Sequence, residues 1–225
     1  MIAELPEPVR VRKFMQGNLV IISSPSGGGK GTLIKELLAS LPDIGYSVSL
    51  TTRPARPGEI DGEHYHFVTR DEFELRAKSG EFLEYAEVHG NYYGTTRAYI
   101  DSIRETGKDV ILEIDVQGAG WVLKRAPDAV SIFIMPPSFD VLRDRLTSRA
   151  TEGAEDLATR LRNSVQEVGQ FFQFEYVVIN DRAVDAAERL RAIIVGERQK
   201  RIRQETAIRG ILDSFEESKA FRTGD

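Results

Sequence analysis

The chain has 225 residues, of which 41% are hydrophobic and 29% are charged, and its formal net charge is -5. This length predicts one globular α/β unit with inserted subdomains, or at most two domains. The absence of cysteine excludes disulfides, thiolate metal sites and a cysteine nucleophile. The acidic balance offers no basic face for duplex nucleic acid, and no apolar run is long enough to span a membrane, so we expect a cytoplasmic protein.

Strand-like and helix-like segments alternate along the chain, which is typical of parallel βαβ units. Strands are predicted at residues 19–23, 46–50, 110–114, 130–135 and 176–179. Helices are predicted at residues 32–40, 98–105, 117–124, 139–149, 155–172 and 184–209. The expected fold class is therefore α/β, with a central parallel sheet flanked by helices.

Two stretches interrupt this alternation. Residues 51–94 contain a Pro/Gly/Arg loop, a short strand at 64–68, a helix at 71–78 and a strand-like run at 82–88, which together predict an inserted α+β subdomain. Thr69 and Glu72 have the spacing of a capping box at the start of that helix. Residues 151–154 form a polar turn between two Arg-bearing helices, and such a hairpin is typical of a lid.

The segment 19–32 predicts a phosphate-binding loop between a buried strand and a helix. Three adjacent glycines allow the backbone N–H groups to point inward, where the helix N-terminus adds its partial positive charge. Lys30 can then place an ammonium on the β- and γ-phosphates. The match to G-x-x-x-x-G-K-[ST] is imperfect, because Ser24 replaces the first Gly and Gly31 moves the hydroxyl to Thr32. The residues expected at the nucleotide are Ser24, Pro25, Ser26, Gly27, Gly28, Gly29, Lys30, Gly31 and Thr32.

The chain resembles the guanylate kinase family over roughly residues 17–197. The resemblance lies in the blocks SPSGGGKGT, SLTTRPARPGEIDGEHYHF, GEFLEYAEVHGNYYGTT and ILEIDVQGA, followed by PPS and an Arg-bearing helix. It implies a P-loop kinase that transfers phosphate from ATP to GMP, with Mg²⁺ accompanying ATP. The implied division is a core (17–48, 97–137 and 164–197), a GMP-binding subdomain (49–96) and a small helical lid (138–163). An N-terminal extension (1–16) and a charged C-terminal helix and tail (198–225) complete it.

The resemblance also implies the residues that hold GMP. Arg53 and Arg56 match the arginines that grip the monophosphate, for which planar guanidinium groups are well shaped. Glu84 matches the carboxylate that accepts guanine N1–H and N2–H. The full set at GMP is Ser49, Arg53, Arg56, Glu59, Tyr65, Glu84, Tyr93, Thr95 and Asp115.

The catalytic residues implied by the resemblance are Lys30, Arg145, Arg149 and Arg160. The three arginines supply positive charge around the transferred phosphoryl group, whereas Arg143 and Arg162 are expected to be surface charges. Thr32 and Asp115 are expected near Mg²⁺, in part through water. Asp115 has two further interpretations, a GMP contact and a cap of the following helix.

Two other functions are compatible with parts of the sequence. A guanylate-kinase-like binding module of a scaffold protein tends to lack a working phosphate loop, whereas Lys30 and the three glycines before it are present here. Another small-molecule kinase on the same scaffold, such as a ribose-bisphosphate kinase, is disfavoured by Glu84 and the TTRPARPGE block. Trp121 is expected to pack its helix against the sheet, and the sequence leaves the oligomeric state open.

Overall fold

The computed structural model describes residues 16–88, 90–148 and 154–222 of the chain. The strands in these ranges are β1 (Leu19–Ser23), β2 (Ile44–Tyr46), β3 (Leu50–Thr51), β4 (His66–Phe67), β5 (Phe82–Val88), β6 (Asn91–Thr96), β7 (Asp109–Glu113), β8 (Val130–Met135) and β9 (Tyr176–Ile179). The helices are α1 (Lys30–Ser40), α2 (Arg70–Lys78), α3 (Arg97–Arg104), α4 (Val116–Arg125), α5 (Phe139–Ser148), α6 (Ala154–Val168), α7 (Ala183–Arg198) and α8 (Glu205–Arg222).

The larger sheet has its strands in the order β2-β7-β1-β8-β9, and all neighbouring pairs are parallel. Every residue of the central strand β1 is buried, and alternate side chains enter different cores. Val20 and Ile22 pack with α1 and α7 on one face. Leu19 and Ile21 pack with α3 and α4 on the other. The central parallel sheet flanked by helices is thus confirmed.

The smaller sheet has the order β4-β3-β6-β5, and all of its strands lie between Leu50 and Thr96. Its small core is aromatic: the Phe73 ring of α2 stacks on Phe82 with centroids 4.3 Å apart. The predicted cap of α2 is confirmed, because the Thr69 hydroxyl accepts a hydrogen bond from the Glu72 N–H at 3.2 Å. Its strand β5 packs against α4 of the main core, where the Arg125 guanidinium donates to the carbonyl of Leu83 at 2.8 Å.

The strand predicted at residues 46–50 is wrong. The chain leaves the parallel sheet at Tyr46, where β2 ends, and enters the smaller sheet at Leu50, where β3 begins. The Ser47 N–H still bonds to the carbonyl of Ile111 at 2.9 Å. The apolar alternation continues through Val48, so the local pattern does not mark the change of sheet.

Two helix predictions need correction. The helix predicted at 155–172 ends at Val168, because Gly169 follows and glycine terminates helices readily. The single helix predicted at 184–209 is instead α7 and α8, separated at residues 199–204 by a short 3-10 turn. Lys200 has extended backbone there, and its ammonium lies 2.8 Å from Glu197.

Trp121 does not pack against the sheet, since its side chain is 61% exposed. The buried face of α4 is formed by Val116, Ala119 and Val122, and Trp121 lies outside that face, beneath the Arg125 guanidinium at 5.5 Å. Among the described residues, no helix combines the length and apolar character that crossing a bilayer requires.

Candidate functional site

The phosphate loop follows the carboxyl end of the central strand β1 and leads into α1. Gly27 and Gly29 have φ angles of 81° and 87°, a left-handed conformation that other residues rarely adopt. A Cβ at Gly29 would collide with the Asn180 amide, and one at Gly27 would lie 2.9 Å from Leu146. The loop therefore needs glycine for its conformation and for its close packing.

Lys30 lies at the end of this loop, at the first residue of α1. Its ammonium donates to the carbonyl of Ile114 at 3.0 Å and lies 3.8 Å from a carboxylate oxygen of Glu113. Burial lowers the pKa of Lys30, while nearby carboxylates, including Asp115, act in the opposite direction. The cation is thus held at the carboxyl end of β7, beside the loop.

Glu113 and Tyr46 were not identified from the sequence. The Tyr46 hydroxyl donates to one carboxylate oxygen of Glu113 at 2.9 Å, and the other oxygen faces Lys30. Burial, followed by the charge of Glu113, raises the pKa of Tyr46. Glu113 ends β7, where side chains of a parallel sheet commonly meet ligands.

A cavity of about 280 Å³ lies beside the phosphate loop. It is lined by Gly29, Thr32, Arg145, Ser148, Asn180 and Ala183. Asn180 donates to the carbonyl of Gly28 at 2.9 Å, while its own buried Oδ1 has no hydrogen-bond partner in the described structure. Arg145 donates to the backbone carbonyl of Asn180 at 3.0 Å. Asn180 was not predicted from the sequence, although its place directly after β9 is typical of ligand contacts.

Asp115 is the N-terminal cap of α4. Its Oδ1 accepts a hydrogen bond from the Gly118 N–H at 2.7 Å, so the capping interpretation is correct. Asp115 also interacts electrostatically with both Lys30 and Glu84. It therefore lies between the phosphate loop and the smaller sheet.

A polar cluster at the base of the smaller sheet joins Ser49, Glu84 and Thr95. The Ser49 and Thr95 hydroxyl oxygens are 3.1 Å apart, and Thr95 is the register partner of Glu84 across β5 and β6. Glu84 is only 7% exposed, and burial raises its pKa to about 7. Ionising this carboxylate therefore costs free energy, because burial disfavours its charged form.

A second cluster surrounds Arg53. Its guanidinium donates to Glu59 at 2.9 Å and lies 5.5 Å from the Tyr65 ring centre. The Tyr65 and Tyr93 rings meet edge to face at 5.9 Å. The backbone N–H of Arg56 donates to the other Glu59 oxygen at 2.7 Å, and the Arg56 side chain is exposed. The hydrogen bond from Arg53 lowers the pKa of Glu59.

The predicted lid residues are described only in part. Arg160 is an exposed residue of α6, whereas Arg149 and most of the turn predicted at 151–154 lie outside the described residues. Arg145 contacts the carbonyls of Gly28 and Asn180, which places it against the phosphate loop. Arg143 pairs with Asp140 at 3.0 Å on the surface of the same helix.

These observations bring the predicted residues into two groups around Asp115. Lys30, Arg145 and Thr32 lie with the phosphate loop at the ends of β1, β7 and β9. Glu84 lies with Ser49 and Thr95 in the smaller sheet. The glycine-rich loop with Lys30 and the buried carboxylate of Glu84 thus both lie near Asp115, an arrangement that suits two substrates bound side by side.

Comparisons with known proteins identify the relatives of this chain. A family model described as guanylate kinase matches residues 16–197. The chain is 47% identical over 193 residues to the guanylate kinase of Symbiobacterium thermophilum, covering 86% of this chain and 92% of that protein. It is 49% identical over 191 residues to that of Psychrobacter arcticus, covering 85% and 92%. The crystal structure of guanylate kinase from Anaplasma phagocytophilum matches with a TM-score of 0.68 at 36% identity, covering 84% and 89%.

Proposed function

The chain belongs to the guanylate kinase family, whose members transfer the γ-phosphate of ATP to GMP, and we propose how its side chains divide this reaction. The observation that carries the proposal is the position of Asp115 at the start of α4: the Lys30 ammonium bonds to the carbonyl of its neighbour Ile114 at 3.0 Å, and Glu84 of the smaller sheet is near enough to interact with its charge. ATP, the phosphoryl donor, is assigned to the side of Lys30, and GMP, the phosphoryl acceptor, is assigned to the side of Glu84.

ATP is assigned to the phosphate loop and the adjoining cavity. The N–H groups of the loop and the start of α1 suit the triphosphate, and Lys30 reaches its terminal phosphates. The adenine base is assigned to the cavity of about 280 Å³. The buried, unpartnered Oδ1 of Asn180 supports this assignment, because a buried acceptor without a partner is costly and an exocyclic amine can satisfy it.

The guanine base of GMP is assigned to Glu84, Ser49 and Thr95. Guanine has two donors on one edge, N1–H and N2–H, and a carboxylate can accept both in one plane. Adenine has an acceptor in place of N1–H and would leave the carboxylate partly unpaired. The burial of Glu84 supports a role in discrimination, since an unpaired buried charge costs more than an exposed one.

The GMP phosphate is assigned to Arg53, Arg56, Tyr65 and Tyr93. Each arginine guanidinium can donate two hydrogen bonds to the phosphate dianion, and each tyrosine hydroxyl can donate one. We assign Glu59 a supporting role, because its carboxylate holds the Arg53 guanidinium at 2.9 Å and a direct contact with the phosphate would be repulsive. Residues 49–96 accordingly form the proposed acceptor subdomain.

Transfer itself is assigned to positive charge around the moving phosphoryl group. Lys30 supplies it from the phosphate loop, and Arg145, Arg149 and Arg160 supply it from the proposed lid at residues 138–163, with Arg145 bonded to the loop carbonyl of Gly28. Lid closure would also exclude the water that could otherwise hydrolyse ATP.

Mg²⁺ is proposed to accompany ATP. The described residues contain no cluster of three or more His, Cys, Asp or Glu side chains that would make a protein-built cation site. This agrees with an ion that is bound mainly by phosphates and water, with one or two protein oxygens. Asp115 Oδ2 and the Thr32 hydroxyl are the oxygens assigned to it. When bound, the ion neutralises charge that develops on the phosphates.

The test is a coupled assay of ADP formation with GMP, AMP, UMP and ribose bisphosphate as acceptors. The proposed roles predict that GMP is preferred over AMP by a factor of roughly 10⁴ in kcat/KM, the discrimination expected when a buried polar group loses its partner. Equal rates with GMP and AMP would contradict the assignment of Glu84. Preference for ribose bisphosphate would favour the alternative small-molecule kinase.

A further inference from the structure

Helix α6 is bonded directly to the phosphate loop through one loop residue, Ser26. The Ser26 N–H donates to the Glu167 carboxylate at 2.9 Å. The Ser26 carbonyl accepts a hydrogen bond from the Ser164 hydroxyl at 3.2 Å. Both backbone polar groups of Ser26 are therefore satisfied by the same helix. Ser164 is fully buried at this contact.

The two bonding residues share a helix face with Arg160. Positions 160, 164 and 167 are separated by four and three residues, a spacing that aligns side chains along one side of a helix. The helix rises 1.5 Å per residue, so Arg160 lies about 10 Å along the axis from Glu167. Anchoring the helix at Ser164 and Glu167 therefore restricts where Arg160 can reach.

The charge of Glu167 argues against a role in ATP affinity. Glu167 is close enough to Lys30 to interact with its ammonium, so it also lies near the site assigned to the triphosphate. A carboxylate in this position repels phosphate and weakens ATP binding in the ground state. The bond to Ser26 therefore carries an electrostatic cost for nucleotide binding.

We propose that Glu167 is a positioning residue for phosphoryl transfer: its bond to the Ser26 N–H docks α6 on the phosphate loop and so places Arg160 at the transferred group. The proposal rests on the role given above to Arg160. The role of Glu167 is distinct from that of Arg160, because the proposal gives Glu167 no contact with either substrate. Ser164 supplies the second bond of the same docking contact.

The variants Glu167→Ala and Glu167→Gln separate the bond from the charge. Glu167→Ala should lower kcat by about tenfold or more, because misplacing a catalytic group is costly, with KM for GMP changed by less than about twofold. KM for ATP should stay equal or fall, since a repulsive charge is lost. Glu167→Gln retains an acceptor for the Ser26 N–H and should recover most of the lost kcat. Glu188→Gln, which removes an exposed carboxylate of α7, is the matched control and should change neither parameter.

A double-mutant cycle with Arg160→Ala decides whether Glu167 acts through Arg160. In the Arg160→Ala background, Glu167→Ala should lower kcat by less than about twofold further, because the group it positions is gone. Independent, multiplicative losses would overturn the proposal while leaving the role of Arg160 intact. Full activity of Arg160→Ala alone would instead contradict the assigned role of Arg160. The proposal would also be overturned if the main effect of Glu167→Ala were a raised KM for GMP. The same holds if Glu167→Gln, at unchanged thermal stability, failed to recover kcat.

Discussion

The hydroxyl oxygens of Ser49 and Thr95 lie 3.1 Å apart, although 46 residues separate them in the chain. Thr95 in turn is the register partner of Glu84 across β5 and β6, so a pair of hydroxyl groups leads to a buried carboxylate. The interaction with Thr95 favours the ionised form of Glu84. It offsets only part of the cost of burial, because the pKa of Glu84 remains raised to about 7.

The raised pKa predicts that GMP binding weakens in mild acid. Glu84 must be ionised to accept both guanine donors, and protonation below about pH 7 removes that acceptor. Apparent GMP affinity should therefore fall roughly tenfold between pH 8 and pH 6 from this group alone. Isothermal titration calorimetry across this range measures the effect. The GMP phosphate also titrates near pH 6. The Glu84→Gln variant separates the two effects, because its pH dependence of GMP binding should come from the phosphate alone. Identical pH profiles for parent and variant would contradict the prediction.

The same group predicts a cost in stability. The folded pKa of about 7 lies above the ordinary value of 4.5, so the contribution of Glu84 to stability is fully present below about pH 4.5 and is lost as the pH rises towards 7. The loss at pH 8 corresponds to roughly 3 kcal/mol at most. Glu84→Gln should therefore raise the Tm by several degrees at pH 8, and by much less at pH 5. Differential scanning calorimetry at the two pH values checks this, and a larger gain at pH 5 would refute it.

Lys30→Met should abolish most turnover without unfolding the protein. The ammonium serves developing phosphate charge, so kcat should fall by roughly 10²-fold or more. KM for GMP should change little, because Lys30 belongs to the ATP side. Steady-state kinetics provide the measurement, with circular dichroism as the check on folding. Lys124→Met, at an exposed position of α4, is the matched control. A Lys30→Met enzyme with near-normal kcat is incompatible with the assigned phosphate loop.

Two arginine substitutions should separate the donor from the acceptor. Arg53→Ala removes a charged phosphate contact and should raise KM for GMP by roughly ten- to a hundredfold, with KM for ATP unchanged. Arg145→Ala removes contacts to Gly28 and Asn180 at the cavity and should instead raise KM for ATP and lower kcat. Initial-rate kinetics with each substrate varied in turn distinguish the two. Arg143→Ala, a surface position of the same helix as Arg145, is the control. The same kinetic pattern for Arg53→Ala and Arg145→Ala would show that the assignment is wrong.

The sequence predicts those elements that a local run of strand-forming residues defines. The bounds of β1, β8, β9 and β5 agree with prediction, because turn-forming or polar residues flank each run. The errors arise where the cause is not local. The run at 46–50 keeps its alternation while crossing between sheets, and the break after Arg198 has neither proline nor glycine to mark it.

Site residues divide in the same way. Lys30 and the glycines before it are predictable, because loop conformation and phosphate binding both depend on adjacent residues. Asn180, Glu113 and Glu167 were not predicted, since their importance comes from contacts across the fold. Glu167, for example, bonds to a residue 141 positions away. Such contacts leave no spacing in the sequence from which they could be inferred.

The most direct test of the proposed chemistry is the kinetics of Glu84→Gln with GMP. The amide exchanges one acceptor oxygen for a donor, so at most one guanine donor can be satisfied. Losing a charged acceptor from a buried site costs about 2–5 kcal/mol, which predicts a fall in kcat/KM for GMP of roughly thirtyfold or more. KM for ATP should stay within about twofold, and Glu87→Gln, an exposed position of the same strand, should behave as the parent. A Glu84→Gln enzyme that phosphorylates GMP within a few-fold of the parent would contradict guanine recognition by this carboxylate.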